Sequence, residues 1–331
     1  MAVVGVIGGG QLGRMLALAG IPLGLSFRFL DPSPHAPARE VGELLVGEYD
    51  DPRLLDRLAD GAAVVTYEFE NVPVGAAERV GALPAAAALD ASQDRLIEKR
   101  LFRRLGIPTP RIEDEVETYP AILKTRRLGY DGKGQHLVQT WEGPRPSHVL
   151  EERVPFDREL SLLAVRGADG DTRFWPLVEN EHEGGILRSS RAPAPNAPQA
   201  EAEEYGSRLL DELRYVGVLA LELFEVDGRL LANEFAPRVH NTGHWTIEGA
   251  ATSQFENHLR AILGLPLGST ESRPALMVNL IGSLPQRQNV LEIAGAHLHL
   301  YAKEPRAGRK LGHVTLLDPT EEEEAAVRAL G

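Results

Sequence analysis

Two glutamates and a cationic segment lie close together between residues 219 and 244. Glu222 and Glu234 each lie in an otherwise apolar run, and Asp227-Gly228 separates the two runs. Alternating apolar residues on both sides of an Asp-Gly pair predict a β-hairpin. Because an unpaired carboxylate is costly to bury, both acids need a cation. Mg²⁺ is the natural candidate, since it is usually held by one or two carboxylates together with substrate phosphates.

The register of this hairpin decides whether the two acids face the same side. A four-residue loop at Val226 to Arg229 sets Glu222 opposite Asn233, whereas a five-residue loop sets it opposite Glu234. A slip of one residue turns a side chain to the other face of the sheet. The metal hypothesis therefore requires the longer loop or a bulge. The alternative is a pair of solvated glutamates on an exposed face.

Composition limits the classes of protein to consider. A chain of 331 residues predicts two or three domains. Its net charge of −13 disfavours a general nucleic-acid surface. No apolar run approaches the ~20 residues that span a bilayer, and no secretory signal pattern is present. The absence of cysteine excludes disulfides and thiolate chemistry. We expect a cytoplasmic protein without nucleic-acid or membrane partners.

The first residues have the pattern of a strand, a glycine turn and a helix. The apolar run Val3–Ile7 precedes Gly8-x-Gly10-x-x-Gly13, and Asp31 ends the next apparent strand. This spacing matches the dinucleotide fingerprint, although many doubly wound domains use such glycines only for packing. Either interpretation predicts a Rossmann-like domain whose helix N-terminus can meet an anion.

Polar residues follow a third predicted strand, Ala62–Tyr67. Glu70 and Asn71 come just after it. Open α/β sheets bind ligands beyond the carboxyl ends of their strands, so these side chains are candidates for ligand contact. The alternative is a surface loop that binds no ligand. Further along, the charged segment Ser92–Leu105 predicts a capped helix.

Two cationic loops are typical of phosphate binding. In the first, Lys124 ends a short apolar strand, and a glycine-rich loop at 129–135 follows. Glycine backbone lets amide groups approach phosphate oxygens closely, and the order of lysine and glycines is not that of a Walker A loop. The second cationic loop contains Lys303, Arg309 and Lys310. For the first loop, the alternative is a solvated basic turn.

The order of these motifs resembles the ATP-grasp superfamily and, within it, the 5-(carboxyamino)imidazole ribonucleotide synthase family. The matching segments, 8–15, 124–135, 233–244 and 308–313, span nearly the whole chain. Two departures are a short C-terminus and Lys133, where the family often has arginine.

The resemblance implies an α/β ATP-grasp fold with an N-terminal Rossmann-like domain and a small β-rich C-terminal domain. The implied limits are 1–92 for the first domain, 93–268 for the ATP-grasp domain and 269–331 for the last. A lid subdomain is expected at about 118–176.

The resemblance also implies roles for individual residues, with ATP and Mg²⁺ as cofactors. The metal ligands are Glu222 and Glu234. The residues expected to bind ATP are Arg95, Lys124, Gly129, Tyr130, Asp131, Gly132, Lys133, Gly134, Gln135, Glu151, Glu152, Arg153, Val154, Glu159, His182, Asn233 and Glu234. The catalytic residues, which would position bicarbonate, are Arg238, His240 and Asn241. Those expected to bind the ribonucleotide are Gln11, Glu70, Asn71, Tyr130, Asp131, Lys303, Arg309 and Lys310.

The implied reaction joins ATP, bicarbonate and 5-aminoimidazole ribonucleotide. Bicarbonate attacks the γ phosphate, and the resulting carboxyphosphate carboxylates the exocyclic amine of the ribonucleotide. In this interpretation the glycines at 8–13 contact substrate instead of NAD, and a homodimer is usual. Three alternatives stay open: an ATP-grasp formyltransferase acting on glycinamide ribonucleotide, a nicotinamide dehydrogenase, and a nucleotide-binding regulator without turnover.

Overall fold

The structure, a computed structural model, describes residues 2–129, 134–140, 143 and 146–331. It begins with a parallel sheet of order β3-β2-β1-β4. The strands are β1 (Val3–Ile7), β2 (Ser26–Asp31), β3 (Glu43–Val46) and β4 (Ala62–Tyr67). The helices of this region are α1 (Gln11–Gly20), α2 (Pro52–Ala59), α3 (Val74–Arg79), α4 (Ala86–Gln93) and α5 (Arg95–Arg104). The carboxyl ends of β1 and β4 meet beside the glycine loop, as expected for a doubly wound sheet.

A small antiparallel sheet follows, with strand order β6-β5-β7. Its strands are β5 (Ala121–Thr125), β6 (Gln135–Val138) and β7 (His148–Glu151). Lys124 lies near the end of the central strand, which directs this lysine into the interior, where it is 4% exposed.

A large antiparallel sheet completes the fold, with order β13-β12-β8-β10-β11-β14-β16-β15, and β9 also pairs with β8. Its strands are β8 (Arg158–Arg166), β9 (Thr172–Phe174), β10 (Val178–Glu183), β11 (Ile186–Ala192), β12 (Gly217–Val226), β13 (Arg229–Ala236), β14 (Ala275–Ile281), β15 (His297–Leu300) and β16 (Lys310–Leu317). The remaining helices are α6 (Gln199–Glu212), α7 (Thr246–Gly249), α8 (Gln254–Ile262), α9 (Arg287–Leu291) and α10 (Glu321–Arg328). No helix in the described ranges is long and apolar enough to cross a membrane.

One continuous core joins the N-terminal sheet to the large sheet. Helix α1 packs against α8, and Leu16 belongs to the same buried cluster as Leu163, Trp245 and Leu259. Strand β14 also pairs with β11, so the last part of the chain extends the large sheet. Since close-packed interiors resist deformation, these contacts hold the facing edges of the sheets in a fixed relation.

The helix predicted at Ser92–Leu105 is shorter in the structure. Its N-cap is Asp94, whose carboxylate accepts a hydrogen bond from the Leu96 amide at 3.1 Å, while Ser92 belongs to α4. Asp94 also pairs with Arg126 at 2.7 Å, so a long-range contact fixes the start of α5. A tertiary ion pair of this kind leaves no mark in the local sequence.

A buried histidine links β4, β12 and α8 and predicts an acid-sensitive stability. His258 Nδ1 accepts from the Val218 amide at 3.1 Å, so its Nε2–H donates to the Thr66 hydroxyl at 3.0 Å. Burial lowers the pKa of His258 from 6.5 to about 4, because the charged ring would lose its hydration in the interior.

Between pH 6.5 and pH 4, the His258 ring is therefore protonated in the unfolded state but not in the folded state. The stabilisation is complete above pH 6.5 and is lost as the pH falls towards 4. We expect the free energy of unfolding to fall by up to about 1.4 kcal/mol per pH unit from this group. Urea unfolding at several pH values measures it, and His258→Gln should give a shallower slope. Equal slopes for both proteins would contradict the prediction.

Candidate active site

A bulge in the acidic hairpin sets its two glutamates opposite each other. The predicted Asp227-Gly228 turn is present, and its residues have φ of 49° and 73°, as tight hairpin turns require. The strands leave this turn in the short-loop register, but the register then shifts by one residue. Asn233 is the extra residue, and Glu222 consequently pairs with Glu234. The bulge required by the metal hypothesis is therefore confirmed.

The two acids have opposite electrostatic surroundings. Burial and the neighbouring Glu234 raise the pKa of Glu222 to about 7, and His240 Nε2 lies 3.3 Å from its carboxylate. Burial would also raise the pKa of Glu234, but Arg95, 2.5 Å away, and Lys124 lower it. A divalent cation between the acids would remove the cost of holding both ionised.

The donor set fits Mg²⁺ that is shared with a phosphate substrate. The two side chains, 20% and 37% exposed, open towards a cavity. Within the described ranges, no group of three or more metal-binding side chains could enclose a metal on its own. Two carboxylates whose remaining coordination is completed by phosphate oxygens and water are typical of Mg²⁺ in phosphoryl-transfer sites.

Two lysines share one buried carboxylate beside the acids. Lys124 Nζ lies 2.6 Å from Glu151 Oε1, and Lys99 Nζ lies 3.3 Å from Glu151 Oε2. Burial alone would raise the pKa of Glu151, but the two lysines lower it to about 2. Lys99 was missed by the sequence analysis. Its one signal was the scarcity of lysine, since only five of the 35 basic residues are lysine.

The glycine loop at 129–135 is described only at its two ends. Arg95 Nη2 donates to the carbonyl of Gly129 at 3.4 Å, and Thr125 donates its amide to the carbonyl of Gly134 at 2.8 Å. Gln135 lines the cavity. The predicted ligands Tyr130, Asp131, Gly132 and Lys133 lie outside the described residues.

The segment after β7 forms the apolar end of the cavity. Val154 lines it, while Glu152 is paired with Arg111 at 2.6 Å. Phe156 and Phe224 stack with centroids 4.8 Å apart and planes 6° apart, and both border the cavity. A flat apolar surface of this kind suits a nucleobase. Neither phenylalanine stands out in the sequence, because the two are 68 residues apart.

Glu159 and His182 lie together at the same end of the cavity. They are in contact, and both line the cavity. Burial would lower the pKa of His182, but Glu159 raises it. The ring therefore favours its positive form, which suits a neighbouring phosphate.

Arg238 and His240 lie between the acidic hairpin and the polar residues after β4. Arg238 is paired with Glu70. Burial and the positive charge of Arg238 hold the pKa of His240 well below its usual range, so that the ring is neutral. Asn241 exchanges two amide hydrogen bonds with Asn279, of 2.8 and 3.1 Å. Its amide therefore fixes the loop that carries His240.

The second cationic loop meets the N-terminal sheet. Lys303 is hydrogen-bonded to Gln11, and Arg309 Nη1 donates to the carbonyl of Glu304 at 3.1 Å. Lys310 begins β16 and lines the cavity, as do Lys303 and Arg309. The fold therefore brings the predicted cationic residues close to Gln11, from which they are remote in the sequence.

Two carboxylates of the chain itself accept hydrogen bonds from the backbone amides of the glycine loop. Asp31 accepts from the Gly9 amide at 2.9 Å. Glu68, also missed by the sequence analysis, accepts from Gly10 and from Gly13, the latter at 2.6 Å. A Cβ on Gly10 would lie 2.4 Å from Glu68 Oε1, so a larger residue there would displace this carboxylate. These contacts show how the loop is used for packing and for carboxylate binding.

Most of these groups line one cavity of about 770 Å³. Of the residues that were predicted to bind ligands and that the structure describes, Gly134 and Arg153 do not line the cavity. The predicted residues that do are Gln11, Glu70, Asn71, Arg95, Lys124, Gly129, Gln135, Glu151, Glu152, Val154, Glu159, His182, Glu222, Asn233, Glu234, Arg238, His240, Asn241, Lys303, Arg309 and Lys310.

Comparison with protein families first defines the class. The chain matches an ATP-grasp domain over residues 109–255 and a ribonucleotide synthetase preATP-grasp domain over 1–93. Residues 275–326 match a phosphoribosylaminoimidazole carboxylase C-terminal domain. These three matches define a ligase of the ATP-grasp class, and they confirm the predicted fold class.

Individual relatives then define the family. The N5-carboxyaminoimidazole ribonucleotide synthase of Pseudomonas aeruginosa is 51% identical, covering 95% of this chain and 94% of its own. The crystal structure of the Thermus thermophilus synthetase matches with a TM-score of 0.93 and 56% identity, over 99% of this chain and 98% of its own. The Aspergillus clavatus synthase, solved with ADP and 5-aminoimidazole ribonucleotide, matches with a TM-score of 0.88 and 31% identity, over 99% and 97%. The chain belongs to the N5-carboxyaminoimidazole ribonucleotide synthase family.

Proposed function

We propose that this protein uses ATP and bicarbonate to carboxylate the exocyclic amine of 5-aminoimidazole ribonucleotide. The observation that supports this most strongly is the shared cavity. Its walls include Lys124 and the acid pair together with the cationic loop of Lys303. One space thus adjoins a nucleoside triphosphate site and a second phosphate site. Family membership favours this reaction over the formyltransferase, dehydrogenase and regulator alternatives.

ATP occupies the end of the cavity nearest the lid. The adenine lies beside Val154 and the stacked Phe156 and Phe224, and Glu159 accepts from the ribose hydroxyls. Arg95, Lys124 and the glycine loop contact the phosphates, with His182 nearby. The lysines and Arg95 outnumber the ionised carboxylates Glu151 and Glu234 around this point, so a phosphate restores charge balance.

Glu222 and Glu234 would hold Mg²⁺ together with bound ATP, and the metal would supply neutralisation of the phosphate charge. The protein contributes the spacing of the two carboxylates and keeps Arg95 beside them. Catalysis is then mainly positioning and charge neutralisation, as in other phosphoryl transfers.

Bicarbonate binds beside Arg238 and the neutral His240. One of its oxygens attacks the γ phosphorus, the bond to the β–γ bridging oxygen breaks, and ADP leaves. The amine attacks the carbon of carboxyphosphate and displaces inorganic phosphate, or it attacks the carbon dioxide formed when the C–O bond of carboxyphosphate breaks and releases phosphate. In both routes the nitrogen gives one proton to the released phosphate as the carbamate forms. Asn241 holds the loop of His240 through Asn279.

The ribonucleotide occupies the opposite end of the cavity. Lys303, Arg309 and Lys310 bind its phosphate, and Gln11, Glu70 and Asn71 contact the remainder. Tyr130 and Asp131 of the lid complete this set. The Glu70–Arg238 pair joins the ribonucleotide end to the bicarbonate position, which brings the amine close to the new carboxyl group.

Three coarser features belong to the same proposal. The domain limits are 1–92, 93–268 and 269–331, with the lid at about 118–176, and the ranges of the family matches support them. The protein forms a homodimer, and it acts in the cytoplasm. Analytical ultracentrifugation of the purified protein tests whether it forms a homodimer.

Phosphate release tests the proposed function. With ATP and Mg²⁺ present, rapid release should require both bicarbonate and 5-aminoimidazole ribonucleotide. Stimulation by formate in place of bicarbonate would favour the formyltransferase. Tight NADH binding without ATPase activity would favour the dehydrogenase, and ATP binding without turnover under any acceptor would favour the regulator.

Arg309→Ala should weaken ribonucleotide binding selectively. Loss of one charged hydrogen bond to phosphate should raise KM for the ribonucleotide about tenfold or more, while ATP affinity stays within about twofold. Steady-state kinetics with each substrate varied in turn measures both values. Arg287→Ala, at an exposed arginine on α9, is the control and should change neither. An equal loss of ATP affinity in Arg309→Ala would contradict the assignment of this loop.

A further inference from the structure

The bulge at Asn233 is held by one face of helix α5. Arg95, Glu98 and Lys99 are spaced i, i+3 and i+4, so they lie on the same side of the helix. All three are buried and reach β13. Arg95 pairs with the carboxylate of Glu234, as described above. The other two side chains bind backbone of β13, and Lys99 is also paired with Glu151.

Glu98 and Lys99 satisfy the backbone on both sides of the bulge. Lys99 Nζ donates to the carbonyl of Asn233 at 2.7 Å and lies 3.4 Å from that of Ala232. Glu98 Oε1 accepts from the Phe235 amide at 2.7 Å. Strand β13 is at the edge of its sheet, where outward backbone groups need partners from elsewhere. A bulge adds a further unpaired residue, so its geometry depends on such partners.

This contact determines the relation between the two acids. Without the bulge, the hairpin would keep the register that sets Glu222 opposite Asn233. Glu234 would then belong to the other face of the strand. The side chains that stabilise the bulge therefore also fix the separation and direction of the metal-binding carboxylates.

We propose that Glu98 and Lys99 are positioning residues that lock the β13 bulge and thereby align Glu222 and Glu234 for Mg²⁺. The proposal rests on the proposed function for the role of the metal, but the lock itself is a property of the chain alone. Glutamine keeps the length of the Glu98 side chain and an oxygen that can accept from the Phe235 amide.

A variant pair at position 98 separates the hydrogen bond from packing. Glu98→Met keeps a long side chain but removes the acceptor for the Phe235 amide, whereas Glu98→Gln retains it. Calorimetry of ADP binding across a Mg²⁺ titration should show that Glu98→Met raises the Mg²⁺ needed for half-maximal tightening about tenfold or more. Metal-free ADP affinity should stay within about threefold. Glu98→Gln should return the Mg²⁺ response to the wild-type range.

Lys99→Met tests the second contact with a side chain of similar length. It should raise the Mg²⁺ requirement in the same way, and Arg100→Met, at an exposed position on the same helix, should not. If Lys99→Met does not fold, the comparison of Glu98→Met with Glu98→Gln still tests the proposal. A wild-type Mg²⁺ response in Glu98→Met, or an equal loss in Glu98→Gln, would overturn the proposal.

Amide exchange in the metal-free and nucleotide-free protein separates this proposal from the proposed function. The Phe235 amide should exchange about tenfold faster or more in Glu98→Met than in Glu98→Gln. If Glu234→Gln leaves the Mg²⁺ response of ADP binding unchanged, the metal assignment fails, whatever the exchange rates are. If exchange is equal in the two variants, the lock fails, whatever the metal does.

Discussion

Glu234→Gln is expected to lower turnover about 10²-fold or more while the protein stays folded. Glutamine keeps the shape of the side chain and can still accept from Arg95, 2.5 Å away. It removes one of the two negative charges that face the metal and the γ phosphate. Because the buried acid pair is costly to hold without a cation, the free energy of unfolding should be unchanged or higher.

Steady-state turnover at saturating Mg²⁺ measures this effect. Glu225→Gln is the matched control, because Glu225 lies on the same hairpin but pairs with Arg158 outside the cavity. Turnover of the control should stay near that of the wild type. Near-normal turnover of Glu234→Gln would remove Glu234 from the catalytic set.

Lys124→Met should cause the second largest loss, and the loss should be in ATP binding. Removing a buried charge that contacts phosphate costs about 2–5 kcal/mol, which corresponds to roughly 30-fold or more in affinity. Glu151 keeps Lys99 as a partner, so the fold should survive. Fluorescence titration with a labelled ATP analogue measures the affinity, and KM for the ribonucleotide should change little. Equal losses for both ligands would contradict the separation of the two phosphate sites.

The acidic hairpin was predictable because its signals are local. The Asp-Gly turn and the alternating apolar residues specify two strands, and both acids could be named from the sequence. The bulge could not be derived, because the register depends on contacts with Glu98 and Lys99, more than 130 residues away. Local pattern defined the alternatives, and tertiary contacts decided between them.

The glycine loop shows a different limit of sequence analysis. Its spacing matches a dinucleotide fingerprint, and the strand–turn–helix order was correct. The amides of Gly10 and Gly13 are nevertheless occupied by Glu68, from a strand end 55 residues beyond Gly13. Which anion a helix N-terminus binds is decided by the neighbouring strand, so glycine spacing alone does not specify the ligand.

The most direct test of the central claim is the fate of bicarbonate oxygen. If bicarbonate attacks the γ phosphorus, one of its oxygens remains on the released phosphate. With ¹⁸O-labelled bicarbonate, ATP, Mg²⁺ and 5-aminoimidazole ribonucleotide, mass spectrometry before exchange with water should find one labelled oxygen per phosphate released. Unlabelled phosphate formed during rapid turnover would exclude carboxyphosphate and contradict the proposed mechanism.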